Sequence, residues 1–213
     1  EFIVKQKFIL FVAILALSSS LYAGDVFSVG ARAGVTYNDF WGDGMKNAPD
    51  DLWGVGFNAG VGILFPLSPL IAVHPGVEIS LRRQSYSNTE IDFDSPYGES
   101  FEIEGVMKQW NLDLPILARL NPSSMFFLEV GPMLSLNLAS DITTEMMGVS
   151  ITEKNDKQNI FELDLVAGVG VSIPLGNKNI DLDFRYILGL TEAMDQSDFS
   201  VWNFQLAASF WFM

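Results

Sequence analysis

Eight ionisable residues, Glu78, Arg82, Asp113, Arg119, Glu129, Asp164, Asp183 and Arg185, sit at alternate positions inside segments that are otherwise largely apolar. Charges in such surroundings persist when paired, and a planar guanidinium meets a carboxylate through two parallel hydrogen bonds, so the chemistry they suggest is ion pairing. Arg32 and Asp181 occupy equivalent positions. Turnover chemistry finds little material. The one His, His74, has no second His and no Cys to complete a metal set, and no His falls in the long polar segments where a triad could form. We therefore expect no catalytic residues, no metal and no cofactor. The pairs Gly54-Val55-Gly56 and Gly168-Val169-Gly170 match nucleotide loops only in composition, and each lies inside a strand-like run. Asp92 to Glu99 has a faint calcium-loop character, but Pro96 and the missing downstream Glu break the ligand spacing.

The elements that carry these charges share one pattern, period-two alternation. The last run is the plainest: Trp202, Phe204, Leu206, Ala208, Phe210 and Phe212 alternate with Asn203, Gln205, Ala207 and Ser209. Seven earlier runs repeat it, with apolar faces over 27–37, 53–65, 71–81, 110–120, 126–138, 161–173 and 180–190. Long polar segments (38–52, 85–100, 140–159, 191–200) alternate with short turns rich in Pro, Asn and Gly (66–69, 121–124, 174–178). This predicts an all-β, eight-stranded antiparallel up-and-down barrel.

Which face points outward decides the setting. The apolar face carries five to seven consecutive hydrophobic positions in almost every run and no charge. The other mixes both signs with glycines that save room. Hydrocarbon outside and charge inside describes a transmembrane barrel, and alternating short turns and long loops match periplasmic and extracellular ends. Tyr37, Trp53, Phe65, Trp110, Tyr186, Trp202 and Phe212 lie near run ends and would form an interfacial aromatic girdle. The N-terminus agrees: Lys5 and Lys7, apolar Phe8 to Leu17, then small Ser18 to Ser20 and Leu21-Tyr22-Ala23, read as a secretory signal over 1–23, leaving a barrel domain over 24–213. The formal charge of −14 and the lack of a basic cluster exclude nucleic acid as a partner.

Trp110 to Leu120, followed by Phe126-Phe127-Leu128-Glu129-Val130-Gly131-Pro132, resembles the paired "Leu-Pro-Ile" and "Gly-Pro" strands of the outer membrane β-barrel domain family common in Bacteroidetes. Asp183 to Thr191 is similar to that family's late "Arg-Tyr, Gly-Leu" strand. The resemblance implies a bacterial outer-membrane location. It also implies handling by the barrel-assembly machinery, which here would read Phe210 and Phe212 because Met213 replaces the usual terminal aromatic. One branch, the PorT-like proteins, is associated with secretion.

An eight-stranded barrel is only wide enough for its own side chains. The expected function is thus non-enzymatic: a filled barrel displaying acidic loops in a structural or surface-interaction role, in contact with outer-membrane lipid, lipopolysaccharide and an envelope partner protein. The alternative is a PorT-like secretion accessory or a narrow transport channel.

Overall fold

The computed structural model describes residues 27–41, 53–91, 101–146, 149–154, 159–176, 178–191 and 200–212. The expected signal segment and the greater part of the acidic loops, including Asp43, Asp50, Asp51 and Asp92 to Glu99, lie outside the described residues.

Nine strands form among them: β1 (Ser28–Trp41), β2 (Trp53–Pro66), β3 (Ile71–Ile91), β4 (Phe101–Leu120), β5 (Phe126–Met146), β6 (Val149–Lys154), β7 (Phe161–Leu175), β8 (Lys178–Gly189) and β9 (Ser200–Phe212). Eight of them pair antiparallel in a ring that closes where β9 meets β1, from Val29↔Phe212 to Trp41↔Ser200. Closure leaves no open edge along the wall, as a β structure in lipid requires. The ninth, β6, pairs with the distal part of β5 and stands outside the ring.

Followed from strand to strand around the ring, the register that starts at Val29 returns to β1 at Asp39, ten residues nearer the end with the long connections. That stagger over eight strands tilts each strand by about 40° from the barrel axis.

Alternation in sequence becomes alternation of environment. Along β2 and β7 the exposed positions are mostly the apolar ones, and the inward positions are mostly glycines and polar residues, with buried Val166 an exception. Val61, Ile79, Val130, Val169 and Leu206 all face outward, whereas eleven charged residues of the polar face are buried. At the short-turn end, Gly176 adopts φ +65°, a conformation that closes the tight β7–β8 hairpin without strain. Inside, the large Trp211 is accommodated by its register partner Gly30, where a Cβ would come within 2.5 Å of the indole.

Four segments expected as loop, 38–41, 85–91, 140–146 and 149–154, are strand. Their polar composition suggests a loop, but a wall that has emerged from lipid is wetted on both faces, so its strands need no apolar side. β-branched Thr143 and Thr144, paired with Thr152 and Ile151, supply the propensity, and the Thr143 and Thr152 hydroxyls lie 3.0 Å apart across the pair. The expected turn over 174–178 is likewise shorter, since Pro174 and Leu175 pair with Asn179 and Lys178.

Two outcomes check this architecture. The detergent-extracted protein should migrate faster on a gel before boiling than after it, because the closed ladder resists unfolding. Gly30→Leu should lower stability to urea by about 1–3 kcal/mol by overpacking the lumen against Trp211, whereas Val61→Leu, at a position 56% exposed on the outer wall, should be nearly neutral.

Candidate functional site: the ionic lumen

The inward residues of the ring form two charge clusters. In the larger, nearer the short turns, Arg185 reaches three carboxylates: Glu129 Oε2 at 2.8 Å, Glu78 Oε1 at 3.2 Å and Asp183 Oδ1 at 3.2 Å. Arg32 meets Asp183 Oδ1 at 2.8 Å and Glu78 Oε1 at 3.5 Å. Arg119 donates to Asp181 Oδ2 at 2.5 Å, approaches Glu129 at 3.8 Å, and lies 3.6 Å above the centre of the Phe127 ring. Asn58 donates to Glu78 Oε2 at 2.7 Å. Every one of these side chains is buried.

His74 belongs to this cluster. Its Nδ1 lies 2.8 Å from Glu129 Oε1, and its ring packs edge-on against Trp211 with centroids 5.1 Å apart. The Trp211 indole N–H donates to Asp181 Oδ2 at 2.8 Å. The imidazole is therefore held as a packed member of the network.

The second cluster, nearer the long connections, centres on Arg82. Its guanidinium contacts Glu162 Oε2 at 2.8 Å, Asp113 Oδ1 at 3.4 Å and Asp164 Oδ2 at 3.5 Å, and it donates to Ser135 Oγ at 3.0 Å. Ser80 donates to Asp113 at 2.6 Å, Ser135 to Asp164 at 2.8 Å and Gln109 to Glu162 at 3.0 Å. One guanidinium here faces three carboxylates, with hydroxyls and an amide supplying further donors.

Between the clusters, on the side formed by β4, β5, β7 and β8, Leu117, Met133, Val166 and Ile187 pack into a buried apolar layer. On β5 the inward order runs Phe127, Glu129, Gly131, Met133, Ser135, and on β8 it runs Asp181, Asp183, Arg185, Ile187. Both strands thus pass from charge to hydrocarbon, and β5 goes on to the second cluster at Ser135. Beside His74, the space bounded by Gly30, Arg32, Gly62, Glu78, Ser209 and Trp211 leaves no volume that a water molecule could occupy.

All eight residues of the anticipated network take part, Arg82, Asp113 and Asp164 in the second cluster and the other five in the first. The structure adds Arg32, Asp181, Glu162, His74 and Trp211, of which the first three lie on the same alternation and are signalled by it. Trp211 and the apolar layer are not, because a hydrophobic residue on a polar face reads as noise in the pattern.

The seven girdle residues divide into two belts. Tyr37, Trp53, Trp202 and Tyr186 form a run of neighbouring rings toward the long connections, with centroid separations of 5.9 to 6.1 Å. Trp110 stands against Phe57 at 5.6 Å on the same side. Phe65 and Phe212 lie at the opposite end, Phe65 beside Phe27 and Phe212 edge-on to Phe210. Among the described residues no group of three His, Cys, Asp or Glu is arranged to hold a metal ion.

A family model described as "Outer membrane protein beta-barrel domain" matches residues 22–195. No curated protein matches the sequence. Solved structures that resemble the chain include Ail, the attachment invasion locus protein of Yersinia pestis, at 16% identity over 87% of this chain and 98% of that one, with a TM-score of 0.44. Neisserial surface protein A is 14% identical over 87% and 95%, with a TM-score of 0.42. The outer membrane protease OmpT from Escherichia coli is 12% identical over 89% and 97%, with a TM-score of 0.38.

Arg185→Met would leave Glu78, Glu129 and Asp183 short of a buried counter-charge and should cost about 3–5 kcal/mol in denaturant unfolding from micelles. Lys178→Met, at the exposed β7–β8 turn, should cost under about 0.5 kcal/mol.

Proposed function

Since this chain belongs to the outer membrane protein beta-barrel domain family, and so stands in a bacterial outer membrane, we propose that it is a non-enzymatic surface anchor: a barrel closed by its own side chains that holds extracellular strands and acidic loops away from the cell. One observation carries this reading. The lumen is filled by two clusters of paired charges, and on the side of β4, β5, β7 and β8 an apolar layer of Leu117, Met133, Val166 and Ile187 lies between them. Moving an ion past that layer would mean stripping its hydration against hydrocarbon, a cost of several kcal/mol.

The non-enzymatic assignment draws on the same packing. His74, the sole imidazole of the chain, is buried against Glu129 and Trp211 on the periplasmic side, where a substrate arriving at the outer rim does not reach it. Residues 1–23 act in this reading as the export signal, and the barrel-assembly machinery inserts the chain. Lipopolysaccharide surrounds the wall, and an envelope or external protein meets the loops.

A second reading, a PorT-like accessory of protein secretion, draws on the sheet β3–β4–β5–β6. Its strands of up to 21 residues rise past the membrane on one side of the barrel, further than β1, β2 and β7 to β9. Crosslinking in intact cells followed by purification separates the two: the anchor reading expects surface or lipid adducts, the accessory reading a stable complex with secretion components.

In planar bilayers the protein should give no steady single-channel conductance. The double variant Met133→Gly with Ile187→Gly, which opens the apolar layer, should introduce brief small openings. A stable conductance from the unmodified protein would replace the anchor by the narrow-channel alternative.

A further inference from the structure

The four inward arginines are committed to the lumen, which leaves Arg83, Lys108, Lys154 and Lys178 as the cations on the exterior of the described residues. Three of these four fall in a single register row. Arg83 on β3 pairs with Lys108 on β4, Lys108 with Asp141 on β5, and Asp141 with Lys154 on β6. Arg83, Lys108 and Asp141 stand on the outer face, because Arg82, Met107 and Ser140, their neighbours in sequence, are buried, and Lys154 shares that face as the register partner of Asp141. In a chain of formal charge −14, this concentration of positive charge at one place calls for a physical reason.

Its height on the barrel supplies one. Trp110 lies two residues below Lys108 on the same face, opposite Leu81, so the row begins immediately above the extracellular aromatic belt. Because the strands tilt, a row perpendicular to them climbs by about 3 Å per strand toward the outside. Arg83 and Lys108 therefore stand where acyl chains give way to headgroups, and Lys154 stands higher, among the sugars and phosphates of the leaflet. Further out on the same face, Glu145 pairs with Ser150 and carries acidic charge. The sign thus changes from positive to negative moving away from the membrane.

Arg83 and Lys108 are also directly opposite each other, an arrangement of like charges that weakens a strand pair unless an anion lies between them. Asp141 separates Lys108 from Lys154 but is one carboxylate among three cations. The row spans four strands at about 4.8 Å each, which suits more than one anionic group on a single lipid.

The geometry points to a docking surface for a phosphorylated glycolipid of the outer leaflet, with Arg83, Lys108 and Lys154 binding its phosphates and the hydrocarbon wall around Trp110 and Leu81 seating its acyl chains. This surface rests on the membrane location and not on the filled lumen. It also differs from cation bridging by the acidic loops, since here the protein itself supplies the positive charge.

The test uses the full folded chain in micelles, titrated with bisphosphorylated lipid A, with its dephosphorylated form and with inorganic phosphate, bound adducts being read by native mass spectrometry. The bisphosphorylated lipid should bind. R83Q/K108Q/K154Q should weaken it by about tenfold or more, while K178Q, at the periplasmic turn, should leave it unchanged. Heat-modifiable migration confirms that each variant is folded, and if the triple variant fails to fold, R83Q and K108Q singly should each weaken binding. Equal binding of the dephosphorylated lipid, an unaltered triple variant, or an equal loss in K178Q would overturn the proposal. Saturation of the same residues by inorganic phosphate alone would overturn the lipid assignment. A conducting lumen would contradict the anchor reading and leave this result untouched.

Discussion

A backbone in hydrocarbon has no water to satisfy its N–H and C=O groups, so a β structure that crosses a membrane must close on itself. With eight strands that closure yields a cylinder whose interior admits side chains and little else. Everything inside follows from this confinement. Eleven buried charges share the lumen, and their survival depends on being each other's counter-ions. Arg185 shows the dependence most clearly, since one guanidinium serves Glu78, Glu129 and Asp183 from one position. Glycine is the complementary device: Gly30, Gly60 and Gly168 stand at inward positions beside Trp211, Glu78 and Arg185, giving bulky groups the room that a Cβ would remove.

The same confinement connects structure to role. A lumen of paired charges alone would still offer a polar, hydratable path. The layer of Leu117, Met133, Val166 and Ile187 interrupts that path on half of the circumference, and Trp211 with His74 fills the periplasmic side. In the anchor reading proposed above, function has two surfaces to occupy: the extracellular strands and loops, and the outer wall. The extended β3–β6 sheet and the basic row at its base belong to these, which is why the exterior charges carry functional information that the paired interior ones do not.

Much of this was legible in the sequence because a strand's side chains alternate strictly. Eight runs, their inward charges and their outward aromatics could be located from period two alone, and the alternation of short turns with long segments gave the direction of the barrel. What alternation could not give was pairing. Arg119 reaching Asp181 and Arg82 reaching Glu162 depend on shear and on side-chain length across the lumen, neither of which is written locally. Extent beyond the membrane was hidden too. Ile142 to Glu145 and Ser150 to Lys154 lack an apolar face because water meets both sides, so the signal that defines the buried strands vanishes where the wall leaves lipid. Val166 and Ile187 broke the polar face in the sequence, and their common purpose emerges only when four strands bring them together with Leu117 and Met133. The basic row was invisible for the same reason: Arg83, Lys108 and Lys154 are 71 residues apart from first to last and meet only through register.

The central claim is that hydrocarbon faces lipid and charge is enclosed. The chain contains no Cys, so single cysteines can be introduced without background, at Leu206 and Val169 on the outer wall and at Gln205 and Ser209 inside. Spin labels at these sites in a reconstituted bilayer report exposure to oxygen, which partitions into lipid, and to a water-soluble nickel chelate. Labels at 206 and 169 should be relaxed by oxygen and not by the chelate, and labels at 205 and 209 should be shielded from both. Access of the chelate to 206 and 169 would mean that the apolar face meets water, and the account would be wrong at its base.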